Sequence, residues 1–154
     1  MESSTVIGDR MMDSTGASGA ISRKDIAKME AHAELYYNEI RKRESDIEAI
    51  SHNTGFSKEN IALIKKHIFF NEYDLGKKNL SRFDPSYDIA ISWQRLQEGK
   101  NIQEMDIVLL NHELMEFRLM EEQGLNYRQA HELAETKYNY SKYIKELDEK
   151  EGVF

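Results

Sequence analysis

From Ile26 onward, apolar residues recur at three- and four-residue intervals, the spacing that holds them on one face of a helix turning about 100° per residue. Ile26, Met29, Ala33, Tyr36, Tyr37, Ile40, Ile47 and Ile50 stay near one such face. They predict one long helix over roughly 23–50, with Ser22 as its N-cap and Asn53-Thr54-Gly55 as its stop. Ser57 predicts the cap of a second helix, from Lys58 to about Phe70, with Ile61, Ile64 and Ile68 aligned. After a loop from Asn71 to Arg82, Asp84-Pro85 reads as a carboxylate N-cap followed by a first-turn proline. The third helix it opens buries Ile89, Trp93 and Leu96 and ends at Gly99.

Asn101 with Glu104 predicts a fourth helix over about 102–122, stopped by Gly124, and Asn126 with Gln129 a fifth of roughly three turns. The charged tail from Ser141 to Phe154 is expected to fray or to extend that last helix. No strand-like alternation persists beyond a few residues. The expected fold class is therefore all-α, a compact array of about five helices. A flexible N-terminal segment, 1–21, precedes a single helical domain, 22–154.

Composition narrows the functional classes. A chain of 154 residues without cysteine has no disulfide scaffold, thiolate metal site or thiol nucleophile, which suits a reducing, cytoplasmic setting. No run of about 18 apolar residues is present, so no membrane span is expected. The net charge of −7 disfavours nonspecific nucleic-acid binding, which needs clustered Lys and Arg, but leaves a nucleic-acid substrate open.

The fourth helix carries the anomaly. Met105, Val108, Leu109, Met115, Leu119 and Met120 define its apolar arc, and His112 and Glu116 fall in the middle of that arc with Glu113 at its margin. Burying an ionised carboxylate without a partner costs several kcal/mol, so Glu116 is expected to be paired, protonated or metal-bound, or to line a cavity. On the fifth helix His131 lies among Tyr127, Ala130, Ala134 and Tyr138, the inward face. Zincin helices carry two His one turn apart around a catalytic Glu; here His112-Glu113-Leu114-Met115-Glu116 has Glu in place of the second His.

Three readings of this cluster remain open. His112, Glu116 and His131 form a His2Glu set for zinc or another divalent metal, with Glu113 as general base. Alternatively His112 and His131 act without metal as an acid–base pair cleaving RNA, with Arg95 holding phosphate and Tyr138 covering the site. In the third reading Glu116 simply accepts hydrogen bonds in a satisfied core network. Outside the cluster, His67 reads as a core-edge histidine, His32 and His52 as peripheral, and Asp84 and Asp88 as cap and helix-dipole carboxylates.

Several stretches carry a family resemblance: 30–37 (Glu30-Ala31-His32-Ala33-Glu34-Leu35-Tyr36-Tyr37), Asn53-Thr54-Gly55-Phe56-Ser57, Arg82-Phe83-Asp84-Pro85-Ser86-Tyr87-Asp88, Trp93-Gln94-Arg95-Leu96, His112-Glu113-Leu114, Ala130-His131 and Lys137-Tyr138-Asn139-Tyr140. Over roughly 30–145 the chain resembles C-terminal regions appended to Mu F-type phage head-morphogenesis (minor head) proteins of Gram-positive bacteria and their prophages. The head-morphogenesis core is not recognisable in it. Because such regions are variable effectors of the polymorphic-toxin group, the resemblance implies a phage or prophage effector. It would be virion-associated or delivered to the host cytoplasm, with a phage head protein, a host protein or an immunity protein as partner. Two functions follow: a toxin-like hydrolase of phosphodiester or peptide bonds, or a non-enzymatic phage structural or interaction module.

Overall fold

The computed structural model describes residues 21–153; the expected lead-in, 1–21, falls almost wholly outside them. The described chain is all-α, and it contains seven helices rather than about five: α1 (Ile26–Lys42), α2 (Asp46–Thr54), α3 (Lys58–Phe69), α4 (Tyr87–Glu98), α5 (Glu104–Gln123), α6 (Tyr127–Lys137) and α7 (Ser141–Lys150). The only β pairing among the described residues is an isolated antiparallel bridge, Tyr73 to Ser81, closing the α3–α4 loop. No helix among them is long and apolar enough to cross a membrane.

One additional helix arises inside the stretch expected as a single helix, the other in the charged tail. The expected helix over 23–50 is split because Arg43 turns to extended backbone. The buried Lys65 ammonium donates to the Arg43 carbonyl and to Asp46 Oδ1, each at 2.8 Å, and Trp93 Nε1 donates to Asp46 Oδ2 at 3.1 Å. A continuous helix would tie the Arg43 carbonyl into its own ladder, leaving Lys65 short of an acceptor. The tail neither frays nor extends α6. The chain turns at Tyr138-Asn139-Tyr140, Asn139 Oδ1 accepts from the Lys142 amide at 3.0 Å, and α7 starts afresh. Tyr140 is anchored in the core by its hydroxyl's hydrogen bond with Ser92, at 2.9 Å.

Caps shift by a few residues for similar local reasons. Asp25, not Ser22, caps α1 by accepting from the Lys28 amide. Ser86 caps α4 by accepting from the Ile89 amide, which leaves Asp84-Pro85 ahead of the helix. Asn101 sits at positive φ, and α5 begins after Gln103, whose amide donates to Asp106 Oδ2 at 2.9 Å. The Asn126–Gln129 capping box on α6 forms as expected, with reciprocal bonds of 2.8 and 3.1 Å.

The main core joins Tyr37 and Ile40 of α1, Ile50 of α2, the α3 isoleucines and Phe69, Trp93 and Leu96 of α4, and Leu110 of α5. Edge-to-face contacts link Tyr37, Phe69 and Trp93, with centroids 4.7 and 5.1 Å apart. A smaller core forms where Met105, Leu109 and Tyr140 meet α7. Helix α5 packs against α3, α4 and α6, so most of its circumference is covered. That central position puts polar residues on several of its faces out of solvent together.

Candidate metal centre

Glu116 is the hub of the site. It is 1% exposed, and three imidazoles from three helices converge on its carboxylate. His67 Nε2 of α3 is 2.7 Å from Oε1. His112 Nε2, one turn earlier on α5, and His131 Nδ1 of α6 are 3.1 and 2.9 Å from Oε2. The two latter nitrogens are 3.3 Å from each other. Glu113 lies beside them, with Oε1 3.6 Å from His67 Nε2 and Oε2 3.9 Å from His112 Nε2.

Each element brings its residue for a local reason. The i, i+4 spacing stacks His112 and Glu116 on one side of α5. Gly124 ends α5 in the left-handed conformation, letting α6 pack beside it, and the fully buried Ala130 and Ala134 permit the close approach that carries His131 in. His67 follows Ile64 by three residues on the core-facing side of α3 and is wholly enclosed. Rings of Tyr73, Phe83 and Phe117 surround it edge-on, with centroids 5.2, 5.2 and 5.7 Å away.

The far ring nitrogen of His112 is also held. The Tyr138 carbonyl accepts a hydrogen bond from His112 Nδ1 at 2.9 Å, and Glu135 Oε1 stands 3.5 Å from the same atom. Because a carbonyl only accepts, the proton is on Nδ1, and in the neutral ring Nε2 is a bare lone pair. That lone pair faces a carboxylate oxygen and a second imidazole nitrogen. Three electron-rich atoms at such distances need a positive charge among them, supplied by a proton or by a metal ion.

In the metal-free protein protons supply it. Burial pushes the His112 pKa down, but the hydrogen bond to Glu116, with the charge of Glu113, overrides it and holds the pKa up at about 9. His131 is raised chiefly by its own bond to Glu116. Burial acts to raise Glu116, yet the hydrogen bonds from His112, His131 and His67 overcome it and hold this carboxyl far below its ordinary range. Glu113 lacks such donors, so burial and the neighbouring Glu116 charge push it up to about 7. Two carboxylates one turn apart are thus driven in opposite directions, a division of labour common where one binds charge and the other moves a proton.

The cluster opens on a cavity of about 260 Å³ whose wall includes Glu113, Glu116, Tyr37, Phe83, Asp84 and Tyr127. Within the cluster the His131 side chain is 38% exposed, whereas His67 and His112 are enclosed. The site is therefore neither an open cleft nor a sealed core.

Of the residues singled out by sequence, His112, Glu113, Glu116 and His131 come together. Arg95 does not join them: its guanidinium is committed to Asp106 through bonds of 2.8 and 2.7 Å. Tyr138 contributes its carbonyl, while its ring lies under the Lys137 ammonium, 5.7 Å from the centroid. His67, expected at a core edge, is the member sequence reasoning missed. Its signal, a polar residue at the margin of an apolar stripe, was weaker than that of Glu116.

Two sets of donor atoms meet the spatial requirement for a cation, His112–Glu116–His131 and His67–Glu113–Glu116, each with its atoms within 4.8 Å of one another. Comparisons with protein-family models, curated proteins and solved structures find no match for this chain.

Proposed function

We propose that the chain is a metal-dependent hydrolase of phosphodiester or peptide bonds, with a divalent ion such as zinc on His112, His131 and Glu116. The observation that carries this reading is a triangle of donor atoms. His112 Nε2, His131 Nδ1 and Glu116 Oε2 are separated by 3.1, 3.3 and 2.9 Å. Tetrahedral zinc with donors at about 2.0–2.1 Å spaces them about 3.3 Å apart, so a small ion fits with little rearrangement. Such a His2Glu set leaves a fourth position for water. The Tyr138 carbonyl is the outer partner that fixes a ligating histidine's tautomer.

In this reading the ion would lower the pKa of its water, and Glu113, beside His112 on the cavity wall, would take the water's proton. The cavity beside the two carboxylates, walled in part by Phe83 and Tyr127, would receive the scissile group. The resemblance to effector regions of phage minor head proteins supports a toxin-like setting for this activity. Metal-free RNA cleavage is less well supported, because a base must be neutral near pH 7, whereas Glu116 holds the His112 pKa up at about 9 and raises that of His131 as well. Arg95, the expected phosphate holder, is also bound elsewhere.

The test uses protein purified without a histidine tag, stripped with chelator and reloaded with Zn²⁺ or Mn²⁺. Hydrolysis of bis-p-nitrophenyl phosphate and of a labelled casein is followed before and after loading. Metal-dependent turnover, lost together with bound metal in a folded His112→Ala protein, is expected. Absence of any metal uptake refutes the reading and leaves metal-free acid–base chemistry and a buried hydrogen-bond network of a structural or interaction module to be separated by the activity assays.

A further inference from the structure

Glu116 divides its two oxygens between two groups of partners. Oε2 faces His112 and His131, while Oε1 faces His67 alone at 2.7 Å. Glu113 repeats the division, with Oε1 on the His67 side and Oε2 on the His112 side. A buried carboxylate that offers one oxygen in each direction is the arrangement that bridges two ions about 3.5–4 Å apart.

The second group is built like the first. His67 is enclosed and its ring is fixed by three aromatic neighbours. Its Nδ1 lies 2.7 Å from the Tyr73 hydroxyl, which also accepts from Asn71 Nδ2 at 3.0 Å. The Tyr73–Ser81 bridge holds that tyrosine's backbone in turn. A phenol can accept as well as donate, so Tyr73 can fix the proton on Nδ1 and leave Nε2 free to ligate. This is the role that the Tyr138 carbonyl has for His112. A core needing only to neutralise one glutamate has no use for a second clamped imidazole beside a second carboxylate.

We propose that the centre is dinuclear: a second divalent cation binds His67, Glu113 and Glu116, and the Glu116 carboxylate bridges it to the ion on His112 and His131. This rests on the metal reading of the first group and extends it. Glu113 holds the second ion through Oε1 and keeps Oε2 on the side of the first. Two ions on one carboxylate clamp a group whose attacking and leaving atoms are both oxygens, so phosphodiesters become the favoured substrate class.

The experiment loads the metal-free full chain with Mn²⁺, counts bound ions after dialysis, and records the electron paramagnetic resonance spectrum. Wild type is expected to bind two ions per chain with a spin-coupled spectrum. His67→Gln is expected to bind one ion, uncoupled, and His131→Gln to lose the other. One ion in wild type, unchanged in His67→Gln and lost in His131→Gln, overturns the second site and leaves the hydrolase reading standing. Two uncoupled ions overturn the shared centre. No uptake overturns both readings. Should His67→Gln fail to fold, the wild-type stoichiometry and coupling alone decide.

Discussion

Replacing Glu116 by Gln keeps the volume at the hub and removes its charge. In metal-free protein the imidazoles around Glu116 then lose its negative charge. His112 is raised from 6.5 to about 9, a shift equivalent to about 3 kcal/mol favouring the protonated folded state. With the carboxylate gone, burial lowers this histidine against a weaker opposition from Glu113, Glu135 and the Tyr138 carbonyl. Its midpoint is expected to fall by more than about one unit, His131 following in the same direction. The assay is a nuclear magnetic resonance titration of the histidine ring protons in chelator, with urea unfolding at several pH values. A histidine with raised folded pKa contributes stability fully present below its unfolded pKa and lost as pH rises through its folded one. Wild type should therefore weaken between about pH 6.5 and 9, by up to about 3 kcal/mol from His112, and the variant should lose most of that slope. Glu113, an acid with raised pKa, adds a slope of the same sign between about 4.5 and 7, so the ring resonances are the decisive readout. A His112 midpoint still near 9 in Glu116→Gln would refute the electrostatic account of the hub.

Asp46→Ala leaves the Lys65 ammonium, 5% exposed, without its carboxylate and is expected to cost about 3–5 kcal/mol in chemical denaturation; a loss below about 1 kcal/mol contradicts the account of the α1–α2 break. Gly99→Ala forces a side chain into φ +71° and brings its Cβ to 2.9 Å from the Asn53 amide, which bonds the Leu96 and Gln97 carbonyls. A loss of at least about 1 kcal/mol is expected, and a neutral thermal melt argues against this cap. Arg95→Gln strands the buried Asp106 carboxylate and should lower stability by about 1–3 kcal/mol while leaving Mn²⁺ stoichiometry unchanged; loss of bound metal would tie Arg95 to the site after all.

How far the site was legible follows from where the contradictions lie in the chain. His112, Glu113 and Glu116 interrupt an apolar arc on a single helix, so local periodicity exposes them, and the Gly124 turn places α6 and His131 close by. His67 is 49 residues from its partner Glu116, and as a lone polar residue beside Ile64 and Ile68 it looks like an edge. Arg95 looks free because its acceptor, Asp106, lies across the Gly99 turn on another helix.

The amino-acid sequence alone determines the helical class, the positions of α3 and α6 and the stops at Gly55, Gly99 and Gly124. Those depend on hydrophobic period, caps and backbone freedom, which act over a few residues. It also determines that something must justify a glutamate on the buried face of α5, since burial of charge has a cost wherever it occurs. Tertiary structure decided the rest. The α1–α2 break exists because a lysine of α3 needs the acceptors it exposes, and α7 is separate because Tyr140 turns inward to Ser92. Only packing brought three imidazoles from three helices onto one carboxylate, because the partner of a buried polar group is chosen by proximity in space, on which chain separation has no bearing.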